Sequence, residues 1–315
     1  MAIEDEIKDK LETKIFRKLT SGLGGCINTG TVYEIDDGAK VYVKSNQAPD
    51  SGLMFEGEMF SLESIEKTKT IRVPKPKFTM DFTNRDEGAV LCMEYIDKMV
   101  GLSKYQDKCG EELAQLHIDN INLEKVEKKL ENWVGKEPER QYVDKFGFDA
   151  VTCCGKIPLV NEWVDDWIGF YARNRLDVQI RMVQSDYGNR EIGEYWSALQ
   201  LKIPKFFKQI SEIPIKPSLL HGDLWGGNAG ETEEGPIIFD PASFYGHHEF
   251  ELSIAGMFGG FRHQFYTSYF RTIKKYPGFD DRQQLYQLFH YLNHWNHFGG
   301  RYAQQSLNLM KQLSK

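Results

Sequence analysis

Asp223 and Asn228 stand five residues apart in HGDLWGGN, and Asp240 closes the run IIFD twelve residues after the asparagine. Two carboxylates and an amide at that spacing, on a loop and the hairpin strand behind it, can converge on one point. The chemistry that uses such a set is phosphoryl transfer. It needs a carboxylate beside the attacking hydroxyl and hard oxygen ligands for a magnesium ion that bridges nucleotide phosphates. Either acid alone would be unremarkable, because aspartates often cap turns and end strands. A cationic partner completes the set: Lys44 ends the strand-like KVYVK, where it can reach α- and β-phosphates, and Glu58 on the next helical segment is the acid to hold it. Glu56 is the rival. The pattern F-x-x-E-x-x-x-L from Phe55 to Leu62 places Glu58 beside the apolar stripe, facing inward.

Positioning these groups takes two kinds of support. The segment MAIEDEIKDKLETKIF, with Ile3, Ile7, Leu11 and Ile15 every four residues, predicts an amphipathic helix. A glycine-rich loop, SGLGGCINTG, follows, and Gly24, Gly25 and Asn28 are candidates to fold over nucleotide phosphates through backbone N–H groups. TVYEI, the turn DDG and KVYVKS read as a hairpin, GLMFEGEMFSLESIEKTK as a helix, and RVPKPKFTM and GAVLCMEYID as extended chain. Met93, Glu94, Tyr95 and Ile96 lie at the end of this strand-rich region, where backbone groups could meet an adenine edge or simply form a linker. Residues 1–96 therefore predict a small β-rich lobe, and residues 97–315 a mainly helical one containing the strand GPIIFDP. A chain of 315 residues is long for one compact core, which favours two lobes sharing a cleft.

Composition removes several function classes. The net charge of −7 argues against a phosphate-backbone binder, so no nucleic-acid partner is expected. No apolar run is long enough to span a membrane. The five cysteines lack C-x-x-C spacing and the N-terminal segment does not read as a secretory signal, so reduced thiols in the cytoplasm are expected. Cys153 and Cys154 read as structural, whereas Cys26 sits in the glycine-rich loop beside the nucleotide site. His290, His294 and His297 share one helical face, but without the glutamate of H-E-x-x-H and with Tyr291, Leu292, Trp295 and Phe298 around them they read as packing rather than zinc ligands.

The Asp-to-Asn interval matches the catalytic loop H-R-D-x-x-x-x-N of protein kinases, with His-Gly-Asp for the first triplet and Asp240-Pro241 where D-F-G would stand. Longer strings carry a more specific resemblance. FGFDAVTCCGKIPLVNEWVDDWIGFYARNRL, HGDLWGGN, FDPASFYGHHEFELSIAGMFGGF and YQLFHYLNHWNHFG resemble the fructosamine-3-kinase and ketosamine-3-kinase family. HGDLWGGN, WSALQLKIP and SLNLM are more similar to the ketosamine-3-kinase branch.

The resemblance implies an α+β, two-lobed protein-kinase-like fold related to aminoglycoside phosphotransferases. It also implies ATP- and Mg2+-dependent phosphorylation of the 3-hydroxyl of ketosamines, such as ribulosamine, psicosamine or fructosamine adducts on glycated proteins and small amines. The unstable 3-phosphate then eliminates, which amounts to protein deglycation. In that scheme Asp223 orients the hydroxyl and accepts its proton, Asn228 and Asp240 hold magnesium, and Lys44, fixed by Glu58, neutralises phosphate charge. Trp225 either stacks on the sugar or packs in the core, and His221 braces the loop. Asn161, Glu162, Asp166 and Trp167 are candidates for a second substrate wall, or else mark a solvated helix start. Cys26 is implied as a redox-sensitive thiol, in a monomer or a Cys26-linked homodimer. Two other readings stay open: a kinase for another small hydroxylated metabolite, and a non-catalytic pseudokinase. The joint presence of Lys44, Glu58, Asp223, Asn228 and Asp240 argues against the second.

Overall fold

The computed structural model describes residues 3–23, 27–82, 88–130 and 140–315, so Gly24, Gly25 and Cys26 lie outside the described residues. The first helix, α1 (Ile3–Lys10), is shorter than the four-residue repeat predicts. Ile7 is buried, yet Glu12 takes a left-handed φ of 53° and Ile15 is half exposed. The physical reason is a competing partner: the backbone amides of Lys14 and Ile15 donate to the Asp36 carboxylate and draw the chain out of the helix.

Five strands then form an antiparallel sheet in the order β1-β2-β3-β5-β4. They are β1 (Arg17–Leu23), β2 (Thr29–Glu34), β3 (Lys40–Asn46), β4 (Pro76–Asp81) and β5 (Ala89–Glu94). The expected β2–β3 hairpin forms around a tight turn at Asp36–Gly38. Strand β1 runs three residues into the stretch expected to be loop, pairing with β2 through two register shifts. Period-two alternation decides which residues reach the site. Val41, Val43, Val90 and Cys92 pack on one face with Ile7 and Phe78, while Leu91 and Met93 face helix α2 (Ser51–Thr68) on the other. Lys44, next to Val43, points to that helix side.

The remaining chain is mainly helical. It comprises β6 (Val100–Gly101), α3 (Gln106–Leu130), the small hairpin β7 (Cys153–Cys154) and β8 (Ile157–Pro158), then α4 (Trp167–Phe170), which runs through a π-helical stretch, Tyr171–Asp177, into α5 (Val178–Tyr187). After α6 (Glu191–Leu199) come the short strands β9 (Ser218–Leu220), β10 (Ala229–Glu231), β11 (Pro236–Ile238) and β12 (Phe244–Gly246). The helices α7 (His248–Ala255), α8 (His263–Thr272), α9 (Phe279–Phe298) and α10 (Ala303–Leu313) close the fold. Helix α7 escapes sequence patterning because it is buried almost all round, which erases its polar face.

Helix α2 ties the sheet to the helical region. At Gly57 an added Cβ would lie 2.1 Å from the Val151 carbonyl, so only glycine permits this approach. One turn later the Ser243 amide donates to Ser61 Oγ at 3.2 Å. Phe55, Leu62 and Ile65 of α2 thus belong to the same apolar core as Leu220, Phe244 and Phe250.

Candidate active site

A cavity of about 410 Å³ opens where α2 and β3 face the loops after β9 and β11. On its upper side Lys44 Nζ donates to both carboxylate oxygens of Glu58, at 2.9 and 2.8 Å, and to Asp240 Oδ1 at 3.0 Å. Burial alone would weaken the proton affinity of Lys44, but the two carboxylates outweigh it and raise the pKa, so the ammonium keeps its charge. The rival acid Glu56 is exposed. Asp240 sits just after β11 with a left-handed φ of 58°, a region that aspartate tolerates better than most residues.

The loop HGDLWGGN forms the floor. Gly222 has φ of 87°, and a Cβ there would meet the Ala242 carbonyl at 2.1 Å. The Glu251 carboxylate from α7 accepts the backbone amides of His221 and Gly222, and His221 Nε2 bonds the Phe239 carbonyl at 2.9 Å. Burial lowers the His221 pKa, so the ring braces the loop as a neutral group. Asn228 Nδ2 donates to the Asp223 carbonyl at 2.9 Å and to its carboxylate at 3.4 Å. Asp223 itself is pushed up to about 8, first by burial and then by the charges of Asp240 and Glu251, while Asn228 and Cys154 act against the rise.

That electrostatic crowding is what a divalent cation would relieve. The donor chemistry fits one: Asn228 uses its amide nitrogen on Asp223, which leaves its side-chain oxygen for a ligand, and Asp240 keeps a second carboxylate oxygen beyond the one on Lys44.

The full chain, residues 1–315, matches the family model for fructosamine kinase. The chain belongs to the fructosamine kinase family. It is 55% identical over 295 residues to ketosamine-3-kinase of Mus musculus, covering 93% of each chain. It is 34% identical over 312 residues to the chloroplastic protein-ribulosamine 3-kinase of Arabidopsis thaliana, covering 98% of this chain and 87% of the relative. Among solved structures, one from Haemophilus somnus assigned to the fructosamine-3-kinases superposes with a TM-score of 0.77 at 22% identity, over 99% of this chain and 96% of the other. A thermostable mutant of aminoglycoside phosphotransferase APH(4)-Ia, solved with ADP and hygromycin B, gives 0.56 at 11% identity over 100% and 98%. The fold is therefore the two-lobed kinase-like one that the resemblance implies.

Several residues of this fructosamine kinase family member lie elsewhere than expected. Trp167 is 2% exposed, donates from Nε1 to the Tyr286 hydroxyl at 2.8 Å and stacks on Phe170, so it is a core residue rather than a substrate contact. Asn161 is likewise buried: its amide nitrogen serves Ala150 and Thr152, and its oxygen accepts from Arg175. Asp166 caps α4 by accepting the Ile168 and Gly169 amides, and Glu162 is exposed; neither lines the cavity. The second substrate wall expected from this segment is absent from the described cavity: Asn161 is committed to Arg175 of the π-helical stretch, Asp166 to the α4 cap and Trp167 to the core. Met93, Glu94, Tyr95 and Ile96 also do not line it; Glu94 pairs with Arg72 at 2.7 Å. Asn28 and Trp225 do line it.

Sequence reasoning missed the opposite wall. Cys153, Cys154 and Gly155 line it from the β7–β8 hairpin, together with Asn293, His294, His297 and Phe298 of α9, and Tyr302. His297 binds this hairpin to α9, accepting the Lys156 amide on Nε2 at 2.9 Å while Nδ1 bonds the Asn293 carbonyl at 2.7 Å. The one available signal was the row of three histidines on a single helical face.

Proposed function

We propose that the protein catalyses ATP-dependent phosphorylation of the 3-hydroxyl of ketosamines on glycated proteins and small amines, with magnesium as the metal and deglycation as the outcome. The observation that carries this reading is the meeting of Lys44, Glu58, Asp223, Asn228 and Asp240 on one cavity in a member of the fructosamine kinase family. The named activities of the mouse and plant relatives supply the substrate class.

In this scheme Asp223 orients the 3-hydroxyl and takes its proton as the oxygen bonds the γ-phosphorus and ADP departs. Burial of the Asp223 carboxylate raises its proton affinity, which favours proton transfer to it. Lys44 lies against phosphate oxygens, and Glu58 keeps it from collapsing onto Asp240 alone. Asn228 and Asp240 would hold magnesium, which supplies charge neutralisation on the transferred group. Catalysis is then chiefly positioning and electrostatics. The backbone from Met93 to Ile96, at the end of β5 and just beyond it, is the proposed seat of the adenine edge, and Asn28 is proposed to lie near the phosphates. The four described cysteines are unpaired, which supports the cytoplasm as the working compartment. An ATP-consumption assay across ribose- and glucose-derived ketosamines of lysine, with choline and an aminoglycoside as controls, tests the proposal. Turnover confined to the ketosamines is the expected result; turnover of choline or the aminoglycoside alone would replace it with a kinase for another hydroxylated metabolite.

A further inference from the structure

The wall opposite Lys44 is built of aromatic faces that phosphoryl transfer does not use. Trp225 meets Phe258 edge to face at 6.2 Å, Phe258 meets the His294 ring at 5.0 Å, and His294 meets Tyr302 at 5.0 Å. All four line the cavity, and Phe298 extends the row at its rim. Trp225 and Phe258 remain 39% and 42% exposed, so part of each side chain is open to a ligand rather than consumed by the core.

The histidine in this row is tied down in one tautomer. His294 Nδ1 lies 2.7 Å from the His290 carbonyl, which can only accept, so Nδ1 carries the hydrogen and Nε2 is an acceptor. Burial lowers the pKa of His294, and the ring adds no positive charge to the wall. The rest of the cavity is short of cations: among the described residues of its lining, Glu58, Asp223 and Asp240 share it with Lys44 as the single basic residue other than histidine. Quadrupolar ring faces, a neutral acceptor and an excess of carboxylates together favour a positively charged guest.

The geometry points to a cation subsite: the wall formed by Trp225, Phe258, His294 and Tyr302 recognises the protonated secondary amine of the substrate, and so selects ketosamines over neutral ketoses. This rests on the ketosamine reading above and adds to it the source of specificity. The sugar would extend from the amine toward Asp223, and the alkyl arm of the amine outward past Phe298. Because the amine keeps its charge throughout the reaction, the wall binds ground state and transition state alike, and its loss falls on KM rather than kcat.

Two measurements test it. In the first, the purified protein is titrated with tetramethylammonium and with tert-butyl alcohol while the Trp225 indole N–H is followed by NMR, assigned by its loss in Trp225→Phe. The ammonium is expected to give a saturable shift that weakens about tenfold in Phe258→Leu, and the alcohol none. In the second, a 1-alkylamino ketose is compared with its neutral 1-O-alkyl ether. The ether should show KM raised by about tenfold or more at similar kcat, with the gap closing in the Phe258→Leu/Tyr302→Leu double variant. Equal KM for amine and ether, or no saturable shift with the ammonium, overturns the inference while turnover of the amine upholds the ketosamine reading. A saturable ammonium shift without phosphorylation of either ketose leaves the cation wall standing and removes the ketosamine reading.

Discussion

Glu58 is buried at 6% exposure and meets Lys44 through two short charge-assisted bonds, whereas Glu56, two residues away, is exposed. Removing the Glu58 charge leaves Lys44 drawn toward Asp240, and the ammonium then loses its place against the phosphates. Glu58→Gln is therefore expected to lower kcat/KM for ATP by roughly tenfold or more, and Glu56→Gln to stay within about twofold, read by steady-state kinetics at saturating acceptor. This distinction was legible in the sequence because the Phe55 to Leu62 pattern marks the buried stripe. The reading of Trp167 and Asn161 failed for the converse reason. Acids and aromatics beside a helix start resemble a sugar site, but nothing local reveals that Tyr286 and Arg175 will claim their polar atoms.

At the scale of elements, long periodic helices such as α3 and α9 could be read directly, while α1, β1 and α7 depended on partners far away in the chain. Even α3 is entered through a distant partner, Glu231 at the end of β10. Its carboxylate accepts the backbone amides of Ser103, Lys104 and Tyr105, the turn that leads into α3, across more than a hundred residues. Desolvation works to raise the Glu231 pKa, but these amides outweigh it and hold the carboxyl below its usual 4.5. A depressed carboxylate contributes stability above its unfolded value and loses it as pH falls through the folded one. Glu231→Gln should thus reduce stability by about 1–2 kcal/mol near neutral pH, with the gap narrowing as pH drops below 4.5, measured by urea unfolding at both ends of the range.

For the whole molecule, the decisive relation is that β3 and α2 deliver one half of the chemistry and the loops after β9 and β11 the other, with Lys44 to Asp240 at 3.0 Å as the charged bond between them. The change from strand to helix patterning along the chain was legible in the sequence. The cavity wall made by α9, the β7–β8 hairpin and Tyr302 was not, since these come together only in the folded chain. Among the described residues no helix is long and apolar enough to cross a membrane. The central claim is that the Asp223 carboxylate is the base in a cavity that also carries Lys44, Glu58, Asn228 and Asp240. Phosphate transfer from ATP to a ribose-derived ketosamine, followed by 31P NMR for wild type and Asp223→Asn, tests it most directly. The account predicts a 3-phosphate from the wild type and a loss of at least about a thousandfold in the variant, with nucleotide affinity retained. A variant that still transfers phosphate at a rate near wild type would contradict it.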